Sequence, residues 1–256
     1  MGDFYECRGE AALNTLKVLA VIPCYNEEKS IKDTVENLKQ KAPYIDYVVV
    51  NDGSQDNTYQ VCLDNEYPVI DFPINLGITG AVQAGMRYAH INGYDMAIQF
   101  DGDGQHLPEY IAEMVRLMQT TSANIVIGSR YINQTSKGLR GFGGALIRFA
   151  VKITTGKSLT DPTSGMRLFD RQMIDRFANN INYGPEPDTL VYLMRQGVTV
   201  LECPVTMQVR KTGKSYLSAL ASAKYMLHMF VSILIVQWFR IKREVSPNNL
   251  SPGERQ

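Results

Sequence analysis

Short apolar runs recur along the first half of the chain at intervals of roughly 25 residues, and polar residues follow each run. Runs this short and this uniformly apolar are typical of strands buried on both faces, and the amphipathic segments between them are typical of helices. Alternation of this kind predicts an α/β fold with a doubly wound, mostly parallel sheet. The runs lie at 17–23, 47–51, 69–72, 96–100 and 124–127.

Three of the connecting segments carry local signals. Asn26 is a good N-cap and predicts a helix that runs to about residue 40. The segment 79–88 is a helix candidate whose alanines and glycines would allow close packing on a sheet. Farther along, 161–167 is polar and is expected to form a loop, and 188–196 is expected to be helical.

Four of the apolar runs end in residues that suit a ligand. The clusters are Pro23-Cys-Tyr-Asn26, Asn51-Asp-Gly-Ser54, Asp101-Gly-Asp103 and Gly128-Ser-Arg130. Ligands of open parallel sheets bind beyond the carboxyl ends of the strands, so we expect the four clusters to share one site. A dinucleotide fold would carry G-x-G-x-x-G after its first strand, and this chain carries P-C-Y-N-E-E instead, which argues against NAD or FAD.

The turn Asp101-Gly102-Asp103 suits a divalent cation. Mg²⁺ is commonly held through one or two carboxylates, which leaves room for substrate phosphates. Taken alone the turn has a second interpretation, because Asp and Gly are also the commonest turn residues. Its place beside three other polar clusters favours a site that clamps the diphosphate of a nucleotide.

The distribution of charge excludes one class of partner and suggests another. The formal net charge is zero, but residues 210–243 contain seven Lys and Arg and no acidic residue. The basic residues are neither dense nor interleaved with aromatics over a long stretch, which argues against nucleic acid. A basic, apolar segment instead indicates a surface that meets phosphates or anionic lipid.

The cysteines and the N-terminal sequence indicate the cellular compartment in which the protein is expected. The four cysteines are scattered and form no C-x-x-C pair, which is expected of a reducing compartment. Acidic residues interrupt the N-terminal stretch, so it does not resemble a signal peptide. We therefore expect a cytoplasmic protein, attached peripherally to the cytoplasmic face of a membrane.

The C-terminal segment 217–239 is strongly apolar. A helical wheel places its polar residues in one arc, which favours a helix that lies in the membrane interface or docks on a partner. Its length also allows a spanning helix, and packing on the main domain is a third alternative. The polar arc contains Ser218, Ser222, Lys224, His228 and Ser232. The expected units are a lead-in at 1–16, one domain at 17–216, the helix with its basic end at 217–243 and a disordered tail at 244–256.

In their order along the chain, the motifs resemble those of family 2 glycosyltransferases with the GT-A fold, and in particular the polyprenyl-phosphate sugar transferases of the dolichol-phosphate mannose synthase type. The resemblance covers about residues 17–216. It rests on Ile22-Pro-Cys-Tyr-Asn-Glu27, Val50-Asn-Asp-Gly-Ser-Gln-Asp-Asn-Thr58, Asn75-Leu-Gly77, Phe100-Asp-Gly-Asp-Gly-Gln-His-Leu-Pro-Glu109, Gly128-Ser-Arg-Tyr131, Asp161-Pro-Thr-Ser-Gly-Met-Arg167 and Arg210-Lys-Thr-Gly-Lys-Ser215.

The resemblance implies a role for each matching residue on the donor side. Asp52 would hold the base or ribose, and Gly102 would lie against the sugar nucleotide together with Asp101. Asp101 and Asp103 would bind Mg²⁺ or Mn²⁺, and Gln105 would complete the metal shell. The other residues expected to line the nucleotide pocket are Pro23, Tyr25 and Glu27.

On the acceptor side the resemblance leaves two reactions open. Many relatives carry a longer acidic motif, with the catalytic base, where this chain has Pro185-Glu186-Pro187-Asp188, so either carboxylate is a candidate base. The first hypothesis is inverting transfer to a polyprenyl phosphate; the second is transfer to a hydroxyl of a membrane-linked glycan, which needs that base. A non-catalytic binding module is a remote third. Arg130 is a further catalytic candidate, and the residues implied to meet phosphate or acceptor are Arg130, Arg167, Arg210, Lys214 and Ser215.

Overall fold

The computed structural model describes residues 16–132, 139–180, 183–208 and 219–236. Within these ranges, seven strands form one sheet in the order β3-β2-β1-β4-β6-β5-β7. The strands are Val18–Cys24 (β1), Asp46–Asn51 (β2), Val69–Asp71 (β3), Met96–Gln99 (β4), Ile125–Ser129 (β5), Arg167–Asp170 (β6) and Val200–Pro204 (β7). The helices are Ile31–Lys41 (α1), Thr58–Asp64 (α2), Gly77–Ile91 (α3), Ile111–Thr121 (α4), Leu139–Thr155 (α5), Arg171–Asn179 (α6), Pro187–Arg195 (α7) and Ala219–Val231 (α8).

The sheet is mostly parallel, as predicted. Strands β1 to β4 pair in parallel, and so do β5 and β7. Strand β6 lies between β4 and β5 and runs antiparallel to both. Six strands therefore direct their carboxyl ends to one edge, and β6 begins at that edge with Arg167. The segment predicted to be a polar loop thus delivers its last residue into the sheet.

Helices cover both faces of the sheet. One core layer contains Leu19 and Val21 of β1 packed against α3, α5, α6, α7 and α8. The alternate residues of β1, such as Ala20 and Ile22, face the other layer with α1, α2 and α4. The predicted close packing of the small-residue helix is confirmed, because a Cβ at Gly85 of α3 would collide with Val21.

The first helix begins later than its sequence indicates. Asn26 has a φ of 56°, in the left-handed region, and the helix starts at Ile31 after Ser30. Asn26 is therefore a turn residue and not the N-cap. Its side chain accepts the backbone N–H of Gln55 at 2.7 Å, which ties the loop after β1 to the loop after β2.

The C-terminal helix packs on the domain along one side. Helix α8 continues into a π-helical segment, Ser232–Val236, and Met229 and Ile233 are buried in the core. Ser232, placed in the polar arc by the wheel, is also buried, whereas Lys224 and His228 are exposed. Within the described ranges, no helix has the length and apolar character needed to cross a bilayer.

Candidate active site

Backbone hydrogen bonds bring three of the predicted clusters together at the carboxyl edge. The N–H of Asp52 donates to the carbonyl of Cys24 at 2.9 Å, and the N–H of Gly102 donates to the carbonyl of Pro23 at 3.2 Å. The N–H of Asn26 donates to Ser54 Oγ at 2.9 Å. The loops after β1, β2 and β4 therefore form one connected rim.

Two carboxylates of this rim already hold protein groups. Asp52 is buried, and its Oδ1 accepts the N–H of Leu76 at 2.7 Å, which fixes the start of α3. Glu27 is also buried, and its Oε2 accepts the hydroxyl of Ser30 at 2.5 Å. Tyr25, two residues before Glu27, is half-buried. Contacts of these residues with a nucleotide stay predictions.

The turn after β4 presents a donor set that suits an oxygen-preferring cation. Asp103 Oδ1 accepts the N–H of Gln105 at 3.0 Å, and Gln105 Nε2 donates to the carbonyl of Gln208 at 3.3 Å. The side-chain amide oxygen of Gln105 and the carboxylates of Asp101 and Asp103 are ligands that Mg²⁺ and Mn²⁺ accept. Over the described part of the chain no group of three or more His, Cys, Asp and Glu could hold a metal ion. Mg²⁺ is usually held by one or two carboxylates together with substrate phosphates and water, and two carboxylates with one amide oxygen fit that pattern.

Arg130, at the end of β5, is held by a buried carboxylate. Its Nε and Nη2 donate to the two oxygens of Asp161 at 2.6 and 2.8 Å. The Asp161 side chain is fully buried, whereas that of Arg130 is 34% exposed. The pair raises the pKa of Arg130, chiefly through these hydrogen bonds. Glu202 of β7 in turn accepts the N–H groups of Thr160 and Asp161, both at 2.7 Å.

The two candidate bases lie where α3, α7 and the C-terminal helix converge. Glu186 precedes α7, and its Oε1 accepts the hydroxyl of Thr79 of α3 at 2.6 Å. Asp188 lies in the first turn of α7, and its Oδ2 accepts the hydroxyl of Ser232 at 2.8 Å. Both carboxylates are therefore oriented by side chains that are distant in sequence.

Arg167 is more buried than an acceptor-binding residue is expected to be. Its guanidinium donates to the carbonyls of Ser164 and Pro162 at 2.9 and 2.8 Å, so it braces the loop before β6. Burial lowers its pKa to about 10, and the nearby Tyr225 and Glu186 oppose that shift, so it is charged at neutral pH. Burial, with the charge of Glu186, raises the pKa of Tyr225 to about 12. Contact between Arg167 and an acceptor stays a prediction.

Several residues of this region escaped the sequence analysis. Thr79, Asp161 and Ser232 hold candidate site residues and Glu202 holds the backbone of Asp161, and only the three-dimensional contacts identify these roles. Gln99 carried a signal, because it is an amide within an apolar strand two residues before Asp101. The predicted phosphate-binding residues Arg210, Lys214 and Ser215 lie outside the described residues.

Comparison with known proteins gives a consistent result. The model of the family described as glycosyl transferase family 2 matches residues 19–177. An undecaprenyl-phosphate mannosyltransferase from Micrococcus luteus is 32% identical over 79% of this chain and 88% of its own length. A UDP-N-acetylglucosamine–dolichyl-phosphate N-acetylglucosaminyltransferase from Methanococcus voltae is 29% identical over 73% of this chain and 84% of its own.

Solved structures confirm the predicted GT-A fold. Glucosyl-3-phosphoglycerate synthase from Mycobacterium tuberculosis, crystallised with Mn²⁺, uridine diphosphate and phosphoglyceric acid, superposes with a TM-score of 0.66 at 15% identity, covering 93% of this chain and 84% of that one. At this identity the likeness concerns the fold alone. With a family model that matches more than half of the chain and a relative that is 32% identical over 79% of it, the chain belongs to glycosyl transferase family 2.

Proposed function

We propose that this protein transfers a sugar from a nucleotide diphosphate to a polyprenyl phosphate at the cytoplasmic face of a membrane, with Mg²⁺ or Mn²⁺ bound by Asp101 and Asp103. One observation carries the proposal. The backbone N–H of Gln208 donates to the carbonyl of Gln105 at 2.9 Å, so the cation turn is bonded to the segment after β7 that precedes the basic residues and the apolar helix in sequence. In sequence, the basic residues at 210–215 and then the apolar helix follow Gln208. The names of the two relatives, both transferases to lipid phosphates, agree with this order.

The chemistry requires little of the protein beyond position and charge. A bound divalent cation would supply the positive charge that stabilises the leaving diphosphate. Asp101 and Asp103 would hold the cation at the sheet edge, and Arg130 would offer its guanidinium to phosphate oxygens. A phosphate oxygen of the acceptor forms a bond to the anomeric carbon as the bond to the diphosphate oxygen breaks on the opposite face, so the configuration inverts. The acceptor is already anionic and gives up no proton.

The outer face of α5 and α8 supports attachment to a membrane. The two helices pack together and contain no acidic residue. Their exposed residues are either apolar or basic, a composition that favours an anionic lipid surface. A second copy of this chain or a small membrane protein would be an alternative binding partner of this face. Among the described residues of these helices and of the π-helical segment, the exposed ones are Ala145, Phe149, Lys152, Ile153, Lys224, Leu227, His228, Val231 and Ile235.

A donor screen tests the proposed reaction. The protein is incubated with polyprenyl phosphate in mixed micelles, Mg²⁺ or Mn²⁺, and labelled UDP- or GDP-linked sugars in turn. We expect one donor to give a lipid product whose sugar is released by mild acid, as from a glycosyl phosphate. Absence of metal-dependent transfer to lipid with every donor would overturn the proposal.

Replacement of Asp188 separates the two candidate acceptors. The glycan alternative is favoured by one observation, the fixed orientation of Asp188 by Ser232. An attacking hydroxyl must lose a proton, and loss of a general base costs about 10²–10⁴-fold. A phosphate acceptor needs no base, so we expect Asp188→Asn to lower kcat less than about tenfold, because the hydrogen-bonding shape is kept. Ser232→Ala is the companion variant, because it removes the hydroxyl that donates to Asp188. A loss of kcat above 100-fold in Asp188→Asn but not in Ser232→Ala would favour a glycan hydroxyl as the acceptor.

Substitution on the outer face of α8 tests membrane attachment. Val231 is 42% exposed on this face, and Leu63 of α2, on the other side of the sheet, is 46% exposed. A buried aliphatic side chain contributes about 1.5–3 kcal/mol, so Val231→Glu should weaken binding to vesicles containing phosphatidylglycerol by tenfold or more in flotation assays. Leu63→Glu is the matched control and should bind like the wild type. Equal binding by all three proteins would contradict the assigned face.

A further inference from the structure

The carboxylate of Asp101 is oriented by residues that flank it on several sides. Its Oδ1 accepts Nε2 of Gln99 at 2.9 Å. Its backbone N–H donates to Nδ1 of buried His106 at 2.9 Å, which places the ring proton on Nε2, 3.6 Å from Asp101 Oδ2. A Cβ at Gly165 would lie 2.7 Å from Oδ2 and 3.4 Å from Gln99 Nε2, so no side chain fits there. The carboxylate therefore has a defined orientation before any ligand binds.

Gln99 is an unusual choice for its position. It is the last residue of β4, it is 2% exposed, and it lies opposite Val21 of β1 and Arg167 of β6. Its Oε1 is buried without a hydrogen-bond partner among the described residues. An unsatisfied buried polar atom costs about 1–3 kcal/mol. Leucine or methionine would fill a similar space without that cost.

An apolar residue at position 99 could not supply the hydrogen bond that Gln99 donates to Asp101. It joins the interior of the sheet to a carboxylate at the exposed edge. Partners that orient a metal ligand are typically important for metal affinity, with losses of about 10–100-fold when they are removed. Asp101 is itself partly exposed, so water can replace the amide as a donor, and the fold does not depend on it.

We infer that Gln99 is a positioning residue for the cation site: its amide holds the carboxylate of Asp101 in the orientation that binds Mg²⁺ or Mn²⁺ with the diphosphate, at a cost to stability. This inference rests on the proposed function, because it assumes that Asp101 binds the cation. It assigns no contact between Gln99 and the substrate.

The test measures binding and stability together in Gln99→Leu and Gln99→Met. Mn²⁺ affinity is determined from the electron paramagnetic resonance of free Mn²⁺ in the presence of UDP and, separately, GDP; the melting temperature is determined without metal. We expect Mn²⁺ to bind about 10–100-fold more weakly in both variants, and the melting temperature to be unchanged or higher.

The matched control is Gln83→Leu. Gln83 lies in α3, and its Nε2 donates to the carbonyls of Phe177 and Asn180, so it joins α3 to the end of α6. We expect the opposite pattern there, with a lower melting temperature and unchanged Mn²⁺ affinity. Mn²⁺ affinity within twofold of wild type in both Gln99 variants, or a lower melting temperature in both, overturns the inference. Failure of the wild type to bind Mn²⁺ with either nucleotide would instead contradict the proposed function.

Discussion

Asp103→Asn is expected to lower the rate of sugar transfer by at least about 100-fold and to leave the melting temperature unchanged or slightly higher. A bound cation contributes several kcal/mol to the stabilisation of developing charge, and about 1.4 kcal/mol corresponds to a factor of ten in rate. Asparagine keeps the oxygen that accepts the N–H of Gln105, so the turn retains its shape. The charge and one of the two acceptor oxygens are removed, and with the charge goes the repulsion between two neighbouring carboxylates.

Asp64→Asn is the matched control for this experiment. Asp64 is exposed and ends α2, a helix that runs away from the carboxyl edge of the sheet. Both variants are assayed over a series of Mn²⁺ concentrations, and the wild type in the presence of a metal chelator is the reference. The cation assignment is contradicted if Asp103→Asn keeps more than a tenth of the wild-type rate, or if chelation leaves the wild-type rate unchanged.

The sequence predicts the first half of the fold well because its strands are buried on both faces. The runs at 17–23, 47–51 and 96–100 are mostly apolar and are followed by polar, turn-forming residues, so their type and their shared edge follow from composition and order. Strand β6 follows from neither. It is four residues long, begins with Arg167 and passes directly into α6, so neither its length nor its polarity gives a strand pattern.

The candidate site likewise contains residues that the sequence can predict and residues that it cannot. Residues in contiguous motifs, such as Asp101 and Asp103, can be predicted because spacing along the chain determines their proximity. The groups that orient them cannot be predicted so directly. Thr79 meets Glu186 across 107 residues, and Ser232 meets Asp188 across 44. These pairs depend on how α3, α7 and α8 pack, and the sequence pattern does not specify that packing.

Arg130→Met is expected to lower the free energy of unfolding by about 2–4 kcal/mol. Loss of one partner leaves the fully buried carboxylate of Asp161 without its counter-ion, and breaking a buried pair costs about 3–5 kcal/mol. The expected value is lower because Arg130 is 34% exposed, so water screens part of the interaction. For a domain of this size, the change corresponds to a fall in melting temperature of about 5–15 °C.

The double variant Arg130→Met with Asp161→Asn separates stability from catalysis. Asparagine removes the unpaired charge but keeps one oxygen for the N–H of residue 130, and its NH2 group can donate to the hydroxyl oxygen of Thr163. We therefore expect more than half of the lost stability to return, while sugar transfer stays at least about tenfold below wild type, because no cation meets the phosphate oxygens.

The control for this pair is Arg116→Met on α4. Arg116 also makes two hydrogen bonds to one carboxylate, that of Glu113, at 3.0 and 2.5 Å, but both side chains are exposed. Exposed ion pairs contribute little to stability, so this variant should melt near the wild-type temperature and retain activity. Recovery of activity together with stability in the double variant would show that Arg130 acts only as a partner for Asp161. Recovery of stability alone would show that the guanidinium itself takes part in transfer.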